Sequence, residues 1–201
     1  MDFIKKNWKP LLVAGILFVM YLFVNPIGSY NNMVTNDENT QTAWSNVEAA
    51  YQERNDLIPN LVNIVKGYAA HEKETYKAIT DARSNATQTT IDPSNMTTEQ
   101  FNDYMDNQDQ LTSALSKLLM IVENYPDLKA SENFRDLQSQ LEGSENRIRV
   151  ERMNYNEFAK VENTYMKKFP KNILNNMFCF EEKPYFKSEE GAETAPEISF
   201  E

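Results

Sequence analysis

One stripe of packing side chains, spaced three and four residues apart, continues without a change of phase through about fifty residues of the chain. Most positions in the stripe are apolar or aromatic, which is typical of an amphipathic helix and does not fit a strand. We therefore expect one helix from about Ser29 to about Ala86, roughly 87 Å long. The stripe consists of Met33, Asp37, Thr40, Trp44, Val47, Tyr51, Arg54, Ile58, Leu61, Val65, Tyr68, Glu72, Thr75, Ile79 and Ala82.

Pro59 lies inside this stripe. A proline within a helix removes one backbone hydrogen bond and costs roughly 3 kcal/mol. The stripe passes through Pro59 in phase, and no capping or loop residues surround it. The pattern therefore predicts a helix that is kinked at Pro59 and continues beyond it.

Two further long helices follow a polar loop. The second begins after Thr97, where Gln100 completes a capping box, and is expected to end before Pro126. The third is expected from near Ser131 to beyond Lys167, and Pro170 opens a short helix. Gly143, in the middle of the third helix, predicts a close approach of another helix backbone, with Gly67 as a candidate partner.

The first thirty residues differ from the rest of the chain. Leu11 to Val24 is an unbroken apolar run, and the stretch from Trp8 to Ile27 is about 30 Å long as a helix, which matches the hydrocarbon core of a bilayer. A cleaved signal peptide would share the basic start and the apolar run, but the small-residue cleavage site is absent. We therefore predict a transmembrane helix. The predicted membrane-anchor residues are Trp8, Leu11, Leu12, Ile16, Phe18, Tyr21 and Phe23.

The predicted fold class is all-α, with an N-terminal transmembrane helix followed by a long-helix antiparallel bundle. The expected boundaries are residues 1–28 for the cytoplasmic N-terminus and anchor, residues 29–168 for the bundle, and residues 169–201 for a short helix and an aromatic, acidic tail. Short connections between helices favour antiparallel neighbours.

The distribution of charge predicts location and excludes one class of partner. Lys5, Lys6 and Lys9 precede the apolar run, and no basic residue follows it until Arg54. The positive-inside rule then places the N-terminus on the cytoplasmic side of a plasma membrane and the bundle outside, which in a two-membrane bacterium means the periplasm. The chain has a net charge of −10, so we expect no binding to nucleic acid and repulsion from anionic lipid surfaces.

The sequence offers no group for covalent chemistry. Cys179 is the single cysteine and His71 the single histidine, which excludes a disulfide framework and a site clustered on cysteine or histidine. Neither residue has a neighbouring base or nucleophile in the sequence. We expect no enzyme activity, no cofactor and no bound metal; a hydrolase would instead require a concave polar pocket that holds a nucleophile and a base.

Charged residues also fall within the predicted apolar stripes. A buried charge needs a partner, because an unpaired one costs several kcal/mol. These residues are either internal ion pairs that set the helix register or a polar seam that recognises a partner helix. The candidates for this buried polar seam are Arg54, Glu145, Arg152 and Glu162.

The C-terminal tail combines acidic residues with large apolar ones. A free disordered segment rarely carries so many aromatic residues, so we expect the tail to dock, either on its own bundle or on a neighbouring copy. The candidate oligomer or partner contacts are Phe178, Phe180, Tyr185, Phe186 and Phe200. A long anchored rod with such a tail suggests a homo-oligomer.

Five segments of the chain resemble the LemA family of bacterial membrane-anchored proteins. They are "YNNMV", "DLIPNLVNIVKGYAAHEKE", "ALSKLLMIVENYPDLKASENF", "LQSQLEGSENRI" and "FPKNILNNMFCFEEKPYF". The resemblance implies an N-terminal transmembrane helix and an antiparallel helical bundle, and it implies no catalytic residues. The family is commonly described with an internal soluble domain, whereas the lysines of this chain favour an external one.

These observations together suggest a membrane-anchored scaffold that self-associates and presents its bundle to envelope membrane proteins. The alternative is an adaptor or regulatory subunit of a membrane protease or sensor complex. A stoichiometric foreign subunit would favour the adaptor, and a large homomeric particle would favour the scaffold.

Overall fold

The computed structural model describes residues 8–187, with the side chains of Leu12 and Val13 and of residues 26–187. Within this range the regular elements are six α-helices and one 3-10 turn, so the all-α prediction is confirmed for the described residues. The elements are α1 (Trp8–Tyr68), α2 (Lys73–Gln88), the 3-10 turn (Pro93–Asn95), α3 (Thr98–Val122), α4 (Pro126–Ala130), α5 (Glu132–Lys167) and α6 (Lys171–Phe178).

Helices α1 and α5 form the most extensive helix–helix interface of the bundle, and α2 packs mainly on α3. Arg54 of α1 pairs with Glu145 near the start of α5. Asp37, earlier in α1, is connected through Lys183 to Glu162 near the end of α5. The two helices therefore run antiparallel along most of the bundle.

Helix α1 continues through both of its prolines, Pro26 and Pro59. Pro59 is exposed, whereas Ile58 and Leu61 beside it are each only 1% exposed. Burial of these flanking side chains offsets the local cost of the proline. The predicted continuation of the helix is confirmed, and the kink at Pro59 stays a prediction.

The prediction of one helix from Ser29 to Ala86 is wrong at its C-terminal end, because α1 ends at Tyr68 and α2 begins at Lys73. The hydroxyl of Tyr76 donates a hydrogen bond to the carbonyl of Ala69, and the backbone N–H of Glu72 donates to the same carbonyl at 3.1 Å. These bonds satisfy a carbonyl that the end of a helix leaves without an intrahelical partner. The chain reverses here and the stripe resumes in α2, which buries Ile79 and Ala82.

The start of α3 is the predicted capping box. The Thr97 hydroxyl accepts from the N–H of Gln100 at 3.2 Å, and the N–H of Thr97 donates to Oε1 of Gln100 at 3.1 Å. This helix ends at Val122 and thus before Pro126, as predicted. Pro126 begins the separate helix α4, since the first position of a helix does not use the N–H that proline lacks.

The interior of the bundle consists of two apolar clusters. The distal cluster, at the end of the bundle far from the N-terminus of α1, is built from α1, α2, α3, α4 and the first half of α5. The proximal cluster is aromatic and centres on Trp44, whose side chain is fully buried. Members of the distal cluster include Ile58, Leu61, Val65, Tyr76, Ile79, Leu111, Leu118, Leu128, Phe134 and Leu141; members of the proximal cluster include Trp44, Val47, Tyr51, Met96, Phe101, Tyr104, Ile148, Tyr155 and Phe186.

The expected close approach at the mid-helix glycines is wrong. A methyl group placed on Gly67 or Gly143 would meet no atom within 4 Å. Both positions face open space, so neither glycine is required for helix packing.

The predicted anchor lies at the start of α1. Leu12 and Val13 are 53% and 56% exposed, whereas the side chains of Trp8, Leu11, Ile16, Phe18, Tyr21 and Phe23 lie outside the described residues. Across the described part of the chain, no helical segment combines the length and apolar character needed to cross a membrane. The structure therefore does not support the predicted transmembrane helix.

Candidate functional site

A segment after α6 returns along α5 and is held there by two asparagines. We call residues 181–187 the strap. The side chain of Asn163 accepts from the N–H of Lys183 and donates to its carbonyl, both at 2.9 Å. The side chain of Asn156 makes the same pair of bonds with Phe186, again at 2.9 Å. Each amide thus satisfies both backbone groups of one strap residue.

The spacing of these contacts shows that the strap is extended and antiparallel to α5. Seven residues of helix separate Asn156 from Asn163 and span about 10 Å. The three residues from Lys183 to Phe186 span about 10 Å only when the chain is nearly fully extended. The two asparagines therefore act as a short substitute for a neighbouring β-strand.

Lys183 inserts its ammonium group into a buried site between α1 and α5. Its Nζ atom lies 2.7 Å from Oδ1 of Asp37 and 3.3 Å from the carbonyl oxygen of Pro93. The residue is 5% exposed. A hydrogen-bonded partner of opposite charge offsets the cost of burying the ammonium group.

Glu162 is the second acidic residue beside the ammonium group of Lys183. Oε1 of Glu162 lies 3.9 Å from Nζ of Lys183, and neither carboxyl oxygen has a hydrogen-bond partner among the described residues. The Thr40 hydroxyl, which faces the same interior, donates to the carbonyl of Asn36. Burial raises the pKa of Glu162 to about 7, although the neighbouring Thr40 hydroxyl and the charge of Lys183 both act to lower it.

Phe186 completes the aromatic cluster around Trp44. Its ring stacks on Trp44 at a centroid distance of 5.9 Å and lies 4.9 Å from Phe101 and 5.3 Å from Tyr155. The Arg152 guanidinium covers the same ring at 4.8 Å. The strap therefore contributes a core residue of the bundle.

Arg54 forms a polar layer with α3 and α5. The side chain is 1% exposed and donates to Oε1 of Gln108 at 2.7 Å, to the Thr112 hydroxyl at 2.9 Å and to Glu145 at 3.0 Å. Gln108 in turn donates to the carbonyl of Ala86 in α2 at 3.2 Å. The layer thus connects four helices through hydrogen bonds.

The structure divides the four seam candidates into separate sites. Arg54 and Glu145 belong to the polar layer, and Glu162 belongs to the Lys183 site. Arg152 is half-buried and contacts the strap, with one bond of 3.3 Å to the carbonyl of Lys187 in addition to the Phe186 ring. Two of these residues, Glu162 and Arg152, therefore position the strap.

The candidate tail contacts have different environments. Phe186 is buried in its own bundle, and Tyr185 is 38% exposed. The rings of Phe178 and Phe180 lie 4.7 Å and 6.2 Å from that of Tyr30 in α1. Phe200 lies outside the described residues.

The segment that connects the end of α5 to the strap lies at one end of the bundle. We call residues 168–180 the excursion, because they leave the end of α5 and lead into the strap, which returns to α5 at Asn163. The excursion contains α6, in which no side chain is buried. The contacts to Tyr30 show that this end of the bundle is the one from which α1 extends toward its N-terminus.

Several of these residues could not be recognised from sequence. Asn156 and Asn163 share one face of α5, and their spacing of seven was the available signal. Asp37 and Lys183 are remote in the chain, and neither position carries a motif. Gln108 and Thr112 are polar residues one turn apart in α3, a pattern that is also typical of a solvated face.

Cys179 and His71 are both exposed. Among the described residues, no group of three or more His, Cys, Asp or Glu side chains could hold a metal ion.

Comparison with known proteins gives related sequences and a family. The chain is 26% identical to Magnetosome protein MamQ 2 of Paramagnetospirillum magneticum over 201 residues, which cover 92% of this chain and 74% of that protein. It is 24% identical to Magnetosome protein MamQ of Magnetospirillum gryphiswaldense, with the same coverage. It is 26% identical to Protein LemA of Metamycoplasma hominis over 149 residues, which cover 74% of this chain and 62% of that protein. The LemA family matches residues 43–200, and the chain belongs to that family.

Proposed function

We propose that this LemA-family chain is a membrane-anchored scaffold that self-associates and presents its helical bundle at the bacterial cell envelope. The observation that carries the proposal is the continuity of α1 from Trp8 to Tyr68. This single helix, about 90 Å long, joins the apolar run at the N-terminus to the core of the bundle. The proposed mechanism is binding and positioning.

Attachment to the plasma membrane is supported by the apolar run from Leu11 to Val24 and by the lysines before it. The test is extraction of membranes with alkaline carbonate, which removes peripheral proteins. We expect the full-length chain to stay in the membrane pellet. Release into the supernatant would contradict the anchor.

The proposed orientation places the bundle in the periplasm. Cys179 is the only cysteine and is exposed, so it can report its location directly. A thiol reagent that crosses only the outer membrane should label Cys179 in intact cells. Labelling that requires disruption of the inner membrane would contradict this orientation.

Self-association is supported by an exposed apolar strip on α5. Val150, Met153 and Val161 are 43%, 61% and 55% exposed, and their spacing places them on one side of the helix. Apolar strips of this kind often mark protein contacts. The test is the mass of the full-length protein in mild detergent, corrected for bound detergent: a multiple of 23.3 kDa is expected, and a monomer would refute self-association.

The same strip also supports the alternative, in which the chain is an adaptor or regulatory subunit of a membrane protease or sensor complex. Affinity purification from solubilised membranes distinguishes the two. A foreign subunit in stoichiometric amount that is lost on changing Met153→Glu and Val161→Glu would favour the adaptor. A homomeric particle that dissociates with the same changes would favour the scaffold.

A further inference from the structure

Helix α6 carries an apolar face that the bundle does not cover. Phe169, Ile173 and Met177 are 80%, 54% and 69% exposed. Ile173 and Met177 are four residues apart and lie on one side of the helix, whereas Phe169 lies in the turn just before it. Phe178, at the end of α6, is 45% exposed. The helix is therefore amphipathic, with its apolar side directed away from the protein.

Lysines border this apolar face. Lys168 is exposed, Lys167 pairs with Glu182, and Nζ of Lys171 lies 3.5 Å from the centre of the Tyr165 ring. An apolar face bordered by lysines is the pattern of helices that lie in a bilayer interface, where the apolar side chains enter the lipid and the ammonium groups stay among the headgroups.

The fold places α6 at the end of the bundle nearest to the apolar N-terminal run. Phe178 and Phe180 contact Tyr30, which follows Val24 by six residues, or about 9 Å of helix. The strap holds the far side of the excursion through Lys183 and Asn163. The position of α6 is thus determined at both of its ends.

We propose that α6 is a second membrane contact, which lies in the bilayer interface beside the point where α1 leaves the membrane. This inference rests on the proposed membrane attachment of α1. It assigns the excursion a function in setting the orientation of the bundle, since one helix alone leaves the bundle free to rotate about its axis. The acidic charge of the bundle as a whole does not oppose the contact, because Lys168 and Lys171 lie just before and at the start of α6, beside its apolar groups.

Cys179 follows α6 directly and provides the probe. The full-length protein is labelled at Cys179 with an environment-sensitive fluorophore such as NBD and reconstituted into vesicles of phosphatidylcholine and phosphatidylglycerol. We expect blue-shifted emission that is quenched by lipids with a spin label near the headgroup. As a matched control, the Cys179→Ser, Met120→Cys variant carries the fluorophore at an exposed position on α3, and its emission should be that of a probe in water.

Two pairs of substitutions separate the apolar face from the rest of α6. Ile173→Ser with Met177→Ser should abolish the blue shift, whereas Asn172→Ser with Asn176→Ser, which changes exposed polar residues of the same helix, should preserve it. None of these side chains is buried, so the fold is expected to persist in both variants.

Flotation of the vesicles distinguishes this inference from the proposed function. A protein that floats with the vesicles while the Cys179 probe emits as in water would overturn the interfacial contact and leave the anchor intact. A protein that fails to float would overturn both.

Discussion

The side-chain amide of Asn163 forms two hydrogen bonds of 2.9 Å with the backbone of Lys183, one as donor and one as acceptor. Asparagine can do this because its side-chain amide presents a carbonyl oxygen and an N–H group side by side. A helix has no free backbone groups along its length, so these amides supply the pairing that the strap requires. The attachment of the C-terminal segment therefore depends on two side chains.

Replacing Asn163 by alanine should weaken this attachment. The N–H and carbonyl of Lys183 would remain buried without partners, which costs about 1–3 kcal/mol. We expect a corresponding loss in the free energy of unfolding in urea, together with faster proteolysis between α6 and the strap. The matched control is Asn146→Ala, since Asn146 is exposed on the same helix and its Oδ1 accepts a hydrogen bond from Arg149, one turn away. An equal loss in the control would contradict a role of Asn163 in holding the strap.

Glu162 should make the stability of the bundle depend on pH. Its pKa is about 7 in the folded protein against an ordinary value of 4.5. Between these values the folded protein binds a proton that the unfolded chain does not, so the stabilisation is fully present below pH 4.5 and is lost as the pH rises through 7. The groups that face Glu162 are Lys183, Asp37 and Thr40. We expect the free energy of unfolding to fall by on the order of 2 kcal/mol between pH 5 and pH 8.

The glutamine variant tests this assignment. Glu162→Gln removes the titrating group and should flatten the pH dependence, which urea unfolding at several pH values can measure. Glu157→Gln, an exposed position on the same helix, should leave it unchanged. A pH dependence that persists in Glu162→Gln would assign it to other groups.

Arg54 and Glu145 should contribute unequally although they form one ion pair. Arg54→Met deprives Gln108 and Thr112 of their buried donor. We therefore expect the free energy of unfolding to fall by about 3 kcal/mol. The side chain of Glu145 is 41% exposed, so water can replace its partner and Glu145→Gln should cost less than about 1 kcal/mol. Denaturant unfolding of both variants measures the difference.

The exposed ion pair between Arg147 and Glu53 is the control for this comparison. Arg147→Met should change the free energy of unfolding by less than about 0.5 kcal/mol. Equal losses for Arg54→Met and Arg147→Met would contradict a structural role for the polar layer.

Removing the Phe186 side chain should open the aromatic cluster to water. Phe→Ala in a core costs about 3–5 kcal/mol, and Trp44 would lose its stacked neighbour. In a Trp8→Phe background, in which Trp44 is the only tryptophan, we expect a red shift of the emission for Phe186→Ala. The neighbouring change Tyr185→Ala, at an exposed position, should leave the emission unchanged; a red shift there would indicate that the whole strap, and not the Phe186 ring, protects Trp44.

Local signals predicted the helices well. The capping box at Thr97 and the stripes of α3 and α5 depend on residues within a few turns of one another, so the sequence contains the information. The corner between α1 and α2 was missed because the stripe stays in phase on both sides of Ala69. The hydroxyl that completes this corner belongs to Tyr76, which also occupies a core position.

The candidate site was less accessible to sequence analysis. The aromatic residues of the tail indicated docking, but nothing in the sequence distinguished Phe186, which is buried, from Phe178, which is not. Lys183 resembled a surface lysine because Asp37 and Glu162 reach it only through the antiparallel packing of α1 and α5. Ion pairs between remote segments follow from the tertiary fold and leave no periodic pattern in the sequence.

The polar layer around Arg54 also limits how the bundle can move. Sliding α1 against α5 by one turn, a shift of about 5.4 Å, would carry the guanidinium away from Gln108, Thr112 and Glu145 and toward one of the two apolar clusters. Sliding of α1 along α5 is therefore opposed by the free-energy cost of a buried charge without its partners. A force applied at the N-terminal end of α1 would instead tilt the four helices as one rigid body.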